Sequence, residues 1–258
     1  MFHVNHPISN ILDKHIELCY EDVVEYKFLT LINRETQITI HPVIVYTENE
    51  LILCDTGYKN QLTQIEEELN KYDFTIKDIT KIVITHHDHD HVGSLKSIRN
   101  KNENIEIISS EIESEYINGN KLPLRLLNSE NIVNTLTGKE RKFTLMFINY
   151  LKTIEACTVD KHVKVSEYII SGLKVISTVG HSPGHISLLL EDNKTLIAGD
   201  AIIIENNNLI KQSYDIIFDR DEYYKSIRNI IKLNPGKIIC YHGGIIDNEN
   251  IRLEELLK

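Results

Sequence analysis

Apolar residues follow two rhythms along this chain. Up to Gly57 they gather in short runs rich in β-branched and aromatic side chains, "VVEYKFLTLI", "QITIHPVIVYT" and "ELILCDTG", with polar turns between, a pattern that predicts strands. "NQLTQIEEELNKY" then changes to helical spacing and places Leu62, Ile65 and Leu69 on one face. "KIVIT" predicts a short buried strand, "HVGSLKSIRN" the start of a helix, "IEIISS" a further strand, and Glu111 to Tyr116 a helical segment. Between about 118 and 162 the regularity falls away into "KLPLRLL", the polar "NSENIVNTLTGKERK" and the apolar "FTLMFINYL". An insertion of this kind is a lid or pocket wall as readily as ordinary packing or a dimer contact. Strands resume in "EYIIS", "LKVISTVG", "HISLLLE" and "KTLIAGDAIII"; the helix "DEYYKSIRNIIKL", the strand "KIICY" and the helix "DNENIRLEELLK" close the chain. Two strand-rich halves, each followed by helices, predict a layered α/β sandwich, one domain over 1–258 with the insertion at 118–162.

Length and charge narrow the classes. A chain of 258 residues can bury a substantial core, and its net charge of −10 leaves no broad basic surface for nucleic acid or an anionic membrane. Apolar runs such as "VIVY" and "AIII" fall far short of the ~18 residues of a membrane span, and "MFHVNHPISN" lacks the regions of a signal peptide. A cytoplasmic protein is expected. Cys19, Cys54, Cys157 and Cys240 form no C-x-x-C pair, which argues against a thiolate zinc site; Cys54 and Cys240, in apolar strands, are expected to be reduced core residues. His3, His6, His15 and His162 have no partner pattern and are expected to be solvated. His41, before Pro42, either points into a site or packs at a strand end.

The chemistry concentrates in "THHDHDHVGS", Thr85 to Ser94, where four histidines and two aspartates follow directly on a buried strand. Side chains so crowded repel one another and resist desolvation unless a cation gathers them. Three later strands end in the same way: "VISTVGHSPGH" presents His181, "TLIAGD" presents Asp200, and "KIICYHGG" presents His242. Imidazole and carboxylate are ligands for zinc, iron or manganese, and glycine beside them lets the backbone turn sharply.

The order of "LCDTG", "THHDHDHVGS", "GHSPGH", "AGD" and "YHGG" resembles the metallo-β-lactamase superfamily of metallo-hydrolases, from roughly Pro42 to Gly244. The resemblance implies a four-layer αββα sandwich with a two-metal site at one edge of the paired sheets. It implies that His86, Asp88 and His181 bind the first metal and Asp90, His91 and His242 the second, with Asp200 bridging. Asp90 and Asp200 are the carboxylates it puts at the chemistry. His185 would orient its loop, and Asp55 would hold a ligand histidine by hydrogen bond unless it merely closes its strand as an Asx turn. The chain departs from the family's usual H-x-H-x-D-H at Asp88, where histidine is the rule. His87 and His89 then fall between the ligands as residues lining the site.

Two divalent metals, zinc with manganese or iron as alternatives, would supply a bridging hydroxide at neutral pH, and the expected reaction is cleavage of a small-molecule ester, lactone, amide, thioester or phosphoester. An extra carboxylate moves preference from zinc towards manganese or iron. The chain lacks the helical extension of glyoxalase II enzymes, and Ile203 stands where N-acyl homoserine lactonases carry tyrosine. A small-molecule hydrolase with lactonase-like or esterase-like activity is the leading expectation. The alternative is a di-iron oxidoreductase related to the flavodiiron proteins, which also carry a carboxylate at the position of Asp88.

Overall fold

Alternation within the strands decides the layering. The computed structural model describes residues 23–247 and 252–257; His3, His6, His15 and Cys19 lie outside them. The chain runs through β1 (Glu25–Phe28), the small pair β2 (Leu31–Ile32) and β3 (Thr39–Ile40), β4 (Val43–Tyr46), β5 (Leu51–Cys54), α1 (Leu62–Asn70) and β6 (Lys81–Val83). It continues through α2 (His89–Val92), α3 (Leu95–Lys101), β7 (Glu106–Ser110), α4 (Glu111–Ile117), α5 (Leu124–Ile132), α6 (Gly138–Leu151) and β8 (Lys161–Val163). The second half holds β9 (Tyr168–Ile170), β10 (Leu173–Ser177), β11 (Ile186–Leu190), β12 (Thr195–Ile197), β13 (Ile203–Glu205), β14 (Asn208–Ile210), α7 (Arg220–Leu233), β15 (Lys237–Cys240) and β16 (Gly244–Asp247).

Successive residues of a strand point to opposite faces. Val43 and Val45 of β4, and Ile52 and Cys54 of β5, enter one cluster shared with Val175, Leu188 and Ile239 of the second half. Ile44, Leu51 and Leu53 enter another, shared with Ile65 and Leu69 of α1 and Leu95 and Ile98 of α3. Both faces of this sheet are apolar, so each needs a covering layer. The second sheet is covered likewise, with Leu196, Ile238 and Cys240 packed on Tyr223, Ile227 and Ile230 of α7. Helix, sheet, sheet and helix follow in that order, the expected αββα sandwich.

The sheets have six strands each, in the orders β1-β4-β5-β6-β7-β8 and β16-β15-β12-β11-β10-β9. β5 through β8 run parallel, as do β12 and β15. The loops that follow β6, β10, β12 and β15 carry the His/Asp motifs. Cys54, Cys157 and Cys240 are buried free thiols.

Several elements differ from expectation. The closing segment is not one helix: Gly244–Asp247 forms β16, and only Leu253–Leu257 adopts a 3-10 turn. Gly243 and Gly244, both at positive φ (98° and 90°), fold the chain back beside β15, and Ile246 is buried there. Asn206 and Asn207, also at positive φ (50° and 61°), make a hairpin turn that extends "AIII" into β13–β14. The insertion folds as the helix pair α5 and α6, with a small core of Leu126, Val133, Ile148 and Leu151. Phe143 and Met146 of its apolar run are exposed. Its last expected residues, including exposed His162, belong to β8.

Candidate metal centre

Asp200 organises the site through its two carboxylate oxygens. Oδ2 lies 3.6 Å from His181 Nε2, while Oδ1 lies 3.4 Å from His91 Nε2 and 3.6 Å from His242 Nε2. On the Oδ2 side, Asp88 Oδ2 is 3.3 Å from His181 Nε2 and 3.6 Å from His86 Nε2. On the other side, Asp90 Oδ2 is 3.2 Å from His242 Nε2 and 3.9 Å from His91 Nε2. Two groups of donors, His86–Asp88–His181 and Asp90–His91–His242, therefore face each other across Asp200, each close enough to share one ion.

The donors are prepared for a cation. His91 Nδ1 donates to Asp55 Oδ2 at 2.9 Å, and the Thr85 hydroxyl, itself donating to Asp55 Oδ2, accepts from His86 Nδ1 at 3.1 Å. Those bonds leave the Nε2 lone pairs of both histidines turned inward. His86 Nε2, His91 Nε2 and Asp200 Oδ1 are buried with no hydrogen-bond partner. Orphaned acceptors of this kind are costly unless an ion takes them up. Burial opposes charge on His91, yet the carboxylates of Asp55, Asp200 and Asp90 outweigh it and raise its pKa well above the ordinary histidine value. His242 is raised for the same reason by Asp200 and Asp90, again against its burial. The site thus demands positive charge, and a divalent ion would displace the protons that otherwise meet the demand.

The supporting residues have distinct tasks. Asp55 sits at φ 63°, and its carboxylate accepts from Thr85 N, the Thr85 hydroxyl and His91 Nδ1, so it orients a ligand and does not close an Asx turn. His185 Nδ1 donates to Thr178 Oγ1 at 2.8 Å, and its Nε2 accepts from Asp200 N at 3.1 Å, which holds the bridging residue's backbone. A side chain at Gly199 would come within 2.9 Å of that Nε2, so only glycine lets His185 this near. His41 Nδ1 meets Leu29 O at 3.2 Å, and His41 belongs to neither donor group.

His87 and His89 do not join the donor groups. His87 stacks on Tyr116, its Nδ1 donates to Glu113, and its Nε2 accepts from Leu124 N at 3.3 Å. His89 lies edge-on to Tyr58, Phe147 and Tyr150. Between them Asp88 is bound by Arg125, whose Nε and Nη2 both reach Asp88 Oδ2 at 2.8 Å. Burial disfavours the Asp88 carboxylate, but Arg125, His181 and His86 outweigh it and hold its pKa well below the usual range.

Two functional residues carry no motif that the sequence alone would single out. Arg125 lies in the irregular insertion, with no pattern around it. Glu113 is fully buried and accepts from His87 N, Ser182 Oγ and Gly184 N, tying the "THHDHDH" loop to the "HSPGH" loop. Its one visible signal is Ser110 three residues earlier, the spacing of a capping box. Ser110 does accept from Glu113 N at the start of α4, but the Glu113 side chain turns to the two loops.

A cleft of about 620 Å³ opens above Asp88, Asp90 and Asp200. Ile38, Phe147, Ile203, Ile204, Ile210 and Ile216 make its walls largely apolar, with Arg125 at its floor. Its volume suits a small molecule.

Residues 39–242 match the family model of the metallo-beta-lactamase superfamily. The chain is similar to the probable metallo-hydrolase YqjP of Bacillus subtilis, at 25% identity over 85% of this chain and 73% of that protein. It is 26% identical to the beta-lactamase-like protein 2 homolog of Caenorhabditis elegans over 80% of its own length, spanning 57% of that relative. Among solved structures, a metallo-beta-lactamase family protein from Thermus thermophilus superposes with a TM-score of 0.70 at 20% identity, covering 90% of this chain and 77% of that one. A dizinc quorum-quenching lactonase, AidC, gives 0.57 at 19% identity, covering 81% and 75%.

Proposed function

The chain belongs to the metallo-beta-lactamase superfamily, and on that premise we propose that it is a metal-dependent hydrolase of a small-molecule ester, lactone or thioester. The observation that carries the proposal is the disposition of Asp200, whose two oxygens face two complete His/Asp donor groups. His86, Asp88, His181 and Asp200 Oδ2 would hold one ion, and Asp90, His91, His242 and Asp200 Oδ1 the other. Two divalent ions there would lower the pKa of water towards neutrality and polarise the substrate's carbonyl oxygen.

The chain's own residues do the remaining work. Asp200 and Asp90 are the carboxylates within reach of the proton that an attacking water gives up. His89 Nδ1, buried without a hydrogen-bond partner and 3.6 Å from Asp90 Oδ1, can take that proton onward. Asp55 and His185 hold His91 and Asp200 in place through the reaction. The isoleucines of the hairpin β13–β14 and Phe147 of α6 exclude bulk water from the cleft and fit the apolar part of a substrate. The similarity in fold to a lactonase, and relatives named as probable metallo-hydrolases, support this substrate range.

Metal analysis of gently purified protein is expected to find about two first-row ions per chain. Apo protein reloaded separately with zinc, manganese or iron should then cleave lactones or thioesters, and Asp90→Ala or His181→Ala should lose metal and turnover together. Unchanged turnover in either variant would rule out the metal-dependent mechanism. Iron content with reduction by dithionite and reaction with oxygen, and no hydrolysis, would instead favour the di-iron oxidoreductase.

A further inference from the structure

Asp88 is where this chain departs from the histidine usual in its superfamily, and Arg125 is the residue the fold brings to it. Arg125 is the second residue of α5, and its guanidinium places two hydrogen bonds on Oδ2, the same oxygen that faces His86 and His181. The placement is built. Leu124 N, one residue earlier, is held by His87 Nε2, and the α5–α6 pair is packed by its own small core. Asp88 is buried, and less than a quarter of the Arg125 side chain is exposed.

We infer that Arg125 is the counter-charge that makes an aspartate at position 88 workable, so that Asp88 and Arg125 together replace the family's histidine. This rests on the reading of the site as a two-metal centre. Asp88, Asp90 and Asp200 bring three negative charges; with the guanidinium the set has a net charge of two negatives, the same as two aspartates and a neutral histidine at 88. Charge at this distance matters. A unit charge a few ångströms from a divalent ion alters its binding by more than about tenfold, even with the screening of bulk water. Arg125 also occupies one lone-pair direction of Oδ2 and so fixes how that carboxylate is turned towards the first donor group. It acts through Asp88 and is a positioning residue.

The test is a double-mutant cycle read as zinc affinity and stoichiometry by chelator competition, with no substrate present. Asp88→His with Arg125 retained should bind zinc in one of the two sites at least about tenfold more weakly than wild type. Asp88→His with Arg125→Met should recover to within about threefold of wild type, whereas Asp88→His with Arg125→Lys should stay weak, because the charge remains. Asp88→Asn, close in shape to aspartate, repeats the cycle should histidine not fit. Equal zinc affinity for Asp88→His, and for Asp88→Asn, with and without the arginine would overturn the inference while leaving the two-metal reading intact. A wild-type protein that binds no zinc, manganese or iron would overturn both.

Discussion

Glu113 shows how much rests on one side chain. It is buried, and its carboxylate receives hydrogen bonds from His87 N, His87 Nδ1, Ser182 Oγ and Gly184 N, so it clamps two motif loops that belong to different sheets. Glu113→Ala would strand these donors, each at a cost of about 1–3 kcal/mol when buried and unpaired, partly relieved by water entering the gap. A loss of at least about 2 kcal/mol in urea unfolding is expected, with Glu113→Gln losing less. Burial opposes ionisation of this carboxyl, but the bonds from His87, and Ser182 with them, outweigh it and set its pKa below the usual 4.5. A folded-state pKa lower than the unfolded one contributes stability that is present above the unfolded value and lost as pH falls through the folded one. Unfolding followed from about pH 6 down into the acid range should therefore show a limb that Glu113→Gln makes shallower. The same slope in both proteins would remove Glu113 from this account. Asp55, in contrast, is legible from its immediate neighbours, because a strand ending in "DTG" limits where its carboxylate can go.

The short helix α2 and the helix pair α5–α6 meet through the motif itself. His87 holds the start of α5, Asp88 binds Arg125, and His89 packs on Phe147 and Tyr150 of α6. The residues between the ligands are thus the seat of the insertion, which in turn supplies Phe147 and Arg125 to the cleft. Phe147→Ala would enlarge that wall and is expected to raise KM for substrates with apolar groups, with a smaller change for compact ones; equal KM changes across such a series would place Phe147 outside the binding surface. On its other side α2 is fixed by Gly93, where an added Cβ would lie 2.2 Å from Lys59 N and 2.4 Å from the Tyr58 carbonyl carbon. Its φ of −60° is open to any residue, so space and not conformation demands glycine there. Gly93→Ala has to push backbone apart and should cost about 2 kcal/mol or more, read as a lower urea midpoint; an unshifted midpoint would mean the Tyr58 turn yields freely.

At the level of the whole molecule, the donors come from both halves. His86, Asp88, Asp90 and His91 follow β6 of the first sheet, whereas His181, Asp200 and His242 follow β10, β12 and β15 of the second. An ion shared between them would cross-link the sandwich along one edge. Binding to the folded state alone stabilises it by about 4 kcal/mol when free metal is a thousandfold above Kd. Thermal melts are expected to rise on reloading the chelated protein, and Asp200→Asn to abolish most of the rise. A melt indifferent to metal in the wild type would count against a bridging role for Asp200. Among the described residues, no helix is long and apolar enough to cross a membrane.

Local pattern was sufficient where the physics is local. Runs of β-branched residues made the strands of both sheets, the spacing of Leu62, Ile65 and Leu69 made α1, and strand ends stopping on His or Asp marked the donors, because the geometry of one strand end depends on few neighbours. The two-residue strands, β16 and the hairpin β13–β14 do not show in the pattern, since segments so short are held by their partners and by turns at Gly243 or Asn206 more than by their own preference. The pairing of Arg125 with Asp88 and the grip of Glu113 on two loops needed the tertiary structure. Each joins residues far apart in the chain, and a buried charge finds its partner only when packing has decided what surrounds it.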